Sequence, residues 1–421
     1  MPSPLRILIT CQELALRGGS QLYTRDVAEA LRDLGHTPVV FSPRLGEVAA
    51  ELRSRGVAIV DRLDRVGAAP DVIHGQHHLE AMAAMLRFPS VPALYVCHGW
   101  LPWQEAPPRF PSLLCYVAVD ALRRDRLVLE NGIPESRVEV IPNFVDLDRF
   151  RPRSPLPPRP RRALLLSNQA APHTFVPIVE RACAAAGVEL EVAGQASGRP
   201  VARPEEILPE FDLVFARGRS ALEAMAVGAA VVLCDVEGCG PLVDSETFPR
   251  LRELNFGMGV LRPPISEERL RAEIERYDPA EAERVRDRVR REAGRAAAVA
   301  RLVALYHGLA ALAPSLVGEG YGRECLRAAS DYIAWLGPYG AEAAGRVAQA
   351  EGRGAVAEGR TLAAESRLAA AEERAAALGR ELAAARESLG HLERSPFGRL
   401  RARLLEVRPL VGLYRALRRG S

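Results

Sequence analysis

Short apolar runs alternate with amphipathic segments from the N-terminus to about Pro314, and this alternation limits the fold more than any other feature. "LRILIT", "TPVVFSP", "VAIVD", "PDVIHG", "PALYVCHG", "LLCYVAVD" and "RVEVIPN" each read as strands. Between several of them lie segments such as "SQLYTRDVAEALRDLG", whose apolar positions recur at helical spacing and which ends at Gly35. Alternating strands and helices predict an α/β chain with parallel sheets covered by helices on both faces.

The alternation is broken once. "RPRSPLPPRPRR", residues 151–162, is too rich in proline for a helix or a central strand and reads as a linker. It separates a first α/β domain, 1–150, from a second, 163–314. In the second, "RALLLSN", "VELEVAGQ", "FDLVFA" and "AAVVLCD" are the strands. A connecting helical segment follows over 315–340. Residues 341–394 are rich in Ala, Glu and Arg, and Leu368, Ala371, Ala375, Leu378, Leu382, Ala385, Leu389 and Leu392 alternate spacings of three and four. That pattern predicts a coiled coil and a homo-oligomer, the alternative being a single solvated helix. The tail, 395–421, is arginine-rich and amphipathic. It reads as an anchor on an anionic membrane surface, or as a segment docked on protein.

Composition excludes several classes of chemistry. The basic residues are all arginine, so Schiff-base and P-loop lysine mechanisms are ruled out. A net charge of +3 over 421 residues gives no reason to expect nucleic-acid binding. The cysteines lack CxxC spacing and fall partly in apolar runs, as expected of free thiols in the cytoplasm. The N-terminal apolar run is too short for a signal peptide, and no stretch of about twenty uncharged apolar residues is apparent.

Four places carry residues suited to chemistry. Gly18 and Gly19 lie between a strand and a helix opening at Ser20, where backbone N–H groups can face an anion. His74, His77 and His78 sit close enough for zinc, but no companion ligand has the right spacing. A loop lining a cleft is therefore favoured. His98, followed by Gly99 and Trp100, ends a strand where open α/β sheets bind ligands. In "FDLVFARGRSALEAMAVG" a strand leads through Arg217 into a helix. Gly218, Arg219 and Ser220 stand at its start and Glu223 about one turn in. That is a phosphate site at a helix N-terminus, with a carboxylate able to accept from a diol or simply to stabilise the first turn.

"GRSALEAMAVGAAVV" resembles the donor site of retaining GT-B glycosyltransferases of family 4. "RGGSQLYTRDVAEALRDLGH", "CHGW" and "ENGIPESRVEVIPNFVDLDRFRP" extend the resemblance over about Leu5 to Pro314. It implies two Rossmann-like domains facing a cleft, followed here by the helical coiled coil. The implied activity is transfer of a sugar, with retention, from a nucleotide-sugar donor to a glycan or lipid-linked acceptor. Surface polysaccharide or cell-envelope glycan assembly at the inner face of the cell membrane is the implied setting.

By the same resemblance Glu223 holds the nucleotide ribose, and Gly218–Ser220 lie against the diphosphate. Gly18 borders the donor and Gly19 the reacting centre. His98 approaches the sugar, with His77 and Trp100 on the acceptor side. No metal or other cofactor is implied, and the Asp146/Asp148 pair is assigned none. Two departures stand out. Phe215 occupies the place of the family's first glutamate, and Asn168 and His173 fall near the places of a diphosphate-clamping Arg and Lys. Arg217 and Arg219 are the expected substitutes for that clamp. The alternative is a catalytically degenerate protein of this fold serving as a scaffold or as a glycan- or nucleotide-binding module.

Overall fold

The structure, a computed structural model, describes residues 3–99, 103–394 and 396. One compact unit runs to Ile333 and a second begins at Ala334.

The first unit holds two sheets. In the first sheet, β1 (Arg6–Thr10), β2 (Thr37–Phe41), β3 (Ala58–Val60), β4 (Val72–Gly75), β5 (Ala93–Cys97), β6 (Leu113–Ala118) and β7 (Val138–Val140) stand in the order β3-β2-β1-β4-β5-β6-β7. All its pairings are parallel. Helices α1 (Gly19–Asp33), α2 (Glu47–Ser54), α3 (His78–Arg87) and α4 (Ala121–Asp125) connect its strands. Strands such as "ALYVC" are buried along their whole length, because helices cover both faces of the sheet and neither needs polar alternation.

The second sheet contains β8 (Arg162–Leu166), β9 (Glu189–Ala193), β10 (Leu213–Ala216), β11 (Ala230–Asp235) and β12 (Gly238–Leu242), in the order β12-β11-β10-β8-β9. Only β12 runs antiparallel, and the sequence reading did not anticipate it, since "GCGPL" lacks strand formers. Helices α5 (Val176–Ala185), α6 (Pro204–Ile207), α7 (Gly218–Val227), α8 (Phe248–Glu253), α9 (Glu267–Glu275) and α10 (Pro279–Glu292) follow. Two apolar clusters, one built on α7 and one on α5, fill the space on either side of this sheet.

Helix α11 (Arg295–Leu316) differs from expectation. The sequence places it at the end of the second domain, yet Val299, Leu302, Tyr306 and Leu309 are buried in the core of the first. The chain thus crosses back, and the buried Tyr306 hydroxyl lies 2.6 Å from Nδ1 of His74. By length and composition α11 is also apolar enough to cross a membrane, although Arg295 and Arg301 keep it from being an uncharged stretch. Its buried stripe makes it a packed core helix here.

Helix α12 (Tyr321–Arg394) is continuous over 74 residues and runs through Gly352, Gly354 and Gly359. Near its start Cys325, Ala328 and Tyr332 pack on the first domain. Farther along, Leu368, Leu378 and Leu382 are exposed. The tail, 395–421, lies outside the described residues apart from Pro396.

Candidate active site

Strand order decides where the site forms. In the first sheet the chain reverses direction of growth between β1 and β4, and in the second between β8 and β10. Loops at the carboxyl ends of strands part at such switch points and leave a crevice. The two crevices meet in one cavity of about 490 Å³. Gly19 and Ser20 after β1, His98 and Gly99 after β5, and Asp120 and Arg123 after β6 supply one wall. Ser167–Gln169 after β8, Arg217–Ser220 after β10 and Asp235 ending β11 supply the other. Helices α1 and α7 both start at this cavity, so two sets of free N–H groups and two positive dipole ends converge on it.

On the first wall, Gly18 is the N-cap of α1 but does not line the cavity. A Cβ on it would meet only the amide end of the flexible Gln21 side chain, which can swing aside, so packing alone does not demand glycine there. A Cβ on Gly19 would meet nothing within 4 Å.

His98 is held on three sides. Its Nε2 lies 2.6 Å from Oε1 of Gln76, its backbone N–H donates to Oε2 of Glu105 at 3.0 Å, and Tyr23 packs edge-on at 4.6 Å. The Gln76 amide nitrogen donates to the Thr10 carbonyl at 3.2 Å and to Oγ1 of Thr24 at 2.7 Å. With that amide so oriented, Oε1 faces His98 as an acceptor. Nε2 therefore carries the hydrogen and Nδ1 is the basic nitrogen. Burial, then His77, His74 and Arg123, hold the imidazole well below its usual pKa, so it is neutral near pH 7.

His77 does not line the cavity. It is buried, its Nδ1 accepts from the Gln12 N–H at 3.1 Å, and burial followed by its neighbour His78 lowers its pKa to about 4. His74 and His78 face the hydroxyls of Tyr306 and Tyr332, so the three rings address separate partners rather than one ion. Among the described residues no group of His, Cys, Asp and Glu is arranged to hold a metal. Asp146 accepts from the Asp148 and Arg149 N–H groups and pairs with Arg295 at 3.0 Å, which anchors the crossing of the chain between domains. Trp100 lies outside the described residues.

On the second wall, Arg217 sits at the N-cap of α7. Its Nε is 2.5 Å from Oδ2 of Asp235 and its Nη1 is 3.0 Å from Oε1 of Glu237. Asp235 also accepts from Oγ of Ser167 at 2.7 Å. Arg219 reaches across the domain boundary to Asp26 of α1 and contacts Oε1 of Glu223 at 2.7 Å. Both arginines line the cavity, but in this structure neither is a free clamp, since carboxylates already engage them.

Glu223 is buried, one turn behind the cavity wall. Burial raises its pKa more than Arg219 lowers it. Burial also opposes the charge of Asp26, yet Arg219 and Arg25 outweigh it and bring that carboxyl to about 2. Asn168 lines the cavity, whereas His173 is exposed and does not. Phe215 is fully buried in the core against β11, where a carboxylate would be stranded.

The sequence reading missed Asp26, Arg123, Asp235 and Asn255. Asp120 capping α4 at "DALR" was detectable, because its carboxylate accepts from the Arg123 N–H as an N-cap does. Asp26 carries no such signal: it is 193 residues from Arg219 and looks like one more polar position on α1. Asn255 lies in a loop with positive φ at Asn255 and Phe256, and its Oδ1 accepts from the Asn143 N–H of the crossing segment.

Residues 17–149 match the model of Glycosyltransferase Family 4. No curated protein matches the sequence. A glycosyltransferase from Rickettsia africae ESF-5 is similar in structure, with a TM-score of 0.55 and 15% identity over 73% of this chain and 99% of that one. Anabaena Alr3699/HepE in complex with UDP gives 0.50 and 13% over 73% and 100%. Its complex with UDP and glucose gives 0.50 and 14% over 72% and 99%. At these identities the likeness is one of fold. The chain carries a Glycosyltransferase Family 4 domain over residues 17–149 and has the GT-B glycosyltransferase fold.

Proposed function

We propose that the protein is a glycosyltransferase that binds a nucleotide-diphosphate sugar between its two α/β domains. It passes the sugar, with retention, to a glycan or lipid-linked acceptor in surface polysaccharide or cell-envelope glycan assembly. We place it in the cytoplasm, peripheral to the membrane and working without a metal. The observation that carries the reading is the convergence of two helix N-termini, His98 and Arg217 on a single cavity. A diphosphate there would meet N–H groups of α1 and α7 and could draw Arg217 from Asp235, exchanging one charge-assisted contact for another. The fold neighbour solved with UDP supports a nucleotide in such a cleft.

Neutral His98, its tautomer set by Gln76, offers Nδ1 to accept a hydrogen bond from a sugar hydroxyl. Catalysis would then rest on positioning and on stabilising the departing diphosphate. Glu223 would accept from the ribose once Arg219 shares or releases Oε1.

The occupied arginines favour a second reading, a degenerate member acting as a scaffold or binding module. A thermal-shift screen against UDP-, GDP-, ADP- and dTDP-sugars, repeated on Glu223→Ala, separates the two. Stabilisation by one nucleotide class that disappears in the variant supports the enzyme. No response to any donor supports the scaffold.

A further inference from the structure

We propose that α12 pairs with the α12 of a second copy of this chain as an antiparallel two-helix coiled coil, its two-fold axis passing between Ala376 and Ala377. This pairing does not depend on the reaction assigned to the cleft.

One stripe on α12 calls for a partner. Leu368, Ala371, Ala375, Leu378, Leu382 and Ala385 follow each other at alternating steps of three and four on a continuous helix, which places them along one line. Leu368, Leu378 and Leu382 are 61%, 66% and 53% exposed. Aligned leucines left in water call for a cover.

The order of large and small residues on the stripe is Leu, Ala, Ala, Leu, Leu, Ala. In a parallel in-register pair each residue faces its own copy. Leucine layers would push the helices apart while alanine layers left gaps between them. Reversing one helix about the proposed axis sets Leu368 against Ala385, Ala371 against Leu382 and Ala375 against Leu378, and the symmetry repeats each layer. Every layer then holds one large and one small side chain, so the helices pack at a single separation without voids.

The flanking charges obey the same reversal. Arg374 falls beside Glu381 of the second copy and Glu365 beside Arg386, each twice. The remaining flanks are Arg367 with Ser388 and Glu372 with Gly379, so no like charges meet. A parallel pair would also match charges, Arg367 with Glu372 and Glu381 with Arg386, so packing and not charge selects the orientation. A pattern that complements itself on reversal is what a two-fold axis between identical chains requires, which identifies the occupant as a second copy.

Sedimentation equilibrium on the full chain tests this with surface variants that leave the folded unit untouched. The wild type should be a dimer. Arg374→Glu, which brings two like-charge pairs together only in the antiparallel form, should weaken dimerisation about tenfold at low salt. Adding Glu381→Arg should restore it. Arg367→Glu, which only a parallel pair would feel, should change nothing. Neither arginine has an acidic residue three or four positions away on its own helix, so the two variants are matched. A monomer at every concentration, a dimer sensitive to Arg367→Glu but not to Arg374→Glu, or a dimer indifferent to both and to Leu378→Arg would overturn the proposal.

Discussion

Arg219 Nε lies 2.7 Å from Oε1 of Glu223, and the other arm of the same guanidinium reaches Asp26 in the opposite domain. One arginine thus ties the carboxylate proposed to receive the ribose to the helix that opens the other wall of the cleft. The setting of Glu223 and the contact between the two walls therefore depend on one residue. Arg219→Met should release both, so nucleotide affinity falls at least as far as in Glu223→Gln. The double variant should lose little more than either single change, because the residues act as a unit. Calorimetric titration of the three variants with a nucleoside diphosphate checks this, and additive losses would refute the coupling.

Asp26 should mark the acid limb of stability. Its carboxyl is held at about 2, below its ordinary 3.8, because Arg219 and Arg25 overcome the effect of burial. A depressed carboxyl contributes stability that is complete above the unfolded value and is lost as pH falls through the folded one. Compared with Asp26→Asn, the wild type should be more stable by about 2 kcal/mol above pH 4. The difference should shrink towards pH 2. Urea unfolding at several pH values measures it, and a difference that grows on acidification would contradict the assignment.

Arg217 should contribute directly to the anion. Arg217→Ala leaves Asp235 in the cavity wall and Glu237 beside it without their cation and should weaken nucleoside-diphosphate binding about tenfold or more. Affinity for the nucleoside alone should hardly change. Equal losses for both ligands would place Arg217 away from the phosphates.

Gln76 should act through His98. Gln76→Leu removes the acceptor that keeps hydrogen on Nε2 and should lower kcat roughly tenfold while the donor KM stays near the wild-type value. Nitrogen-15 shifts of the imidazole should show the tautomer populations change. A loss confined to KM would assign Gln76 to binding instead.

Helix α11 should prove indispensable to the first domain. A chain ending at Gly294 would expose the core that Val299, Leu302, Tyr306 and Leu309 cover and should not fold. Tyr306→Phe is milder: it removes the partner of His74 Nδ1 and should reduce stability by about 1–3 kcal/mol in urea unfolding.

The sequence by itself determined the two α/β blocks, the break at 151–162 and the helix start at Arg217–Ser220. Strands buried on both faces, proline-rich breaks and helix N-termini each leave a local signature. Periodicity likewise marked the stripe on α12. Tertiary structure alone decided that α11 belongs to the first domain, since a helix with apolar residues on several sides does not say which sheet it covers. It also decided that His77 is buried, that His173 lies off the cavity, and that Arg219 is spent between Asp26 and Glu223. Those outcomes depend on charges far apart in the chain meeting where water is excluded, and the strength of such a meeting is set by burial that only the folded chain creates.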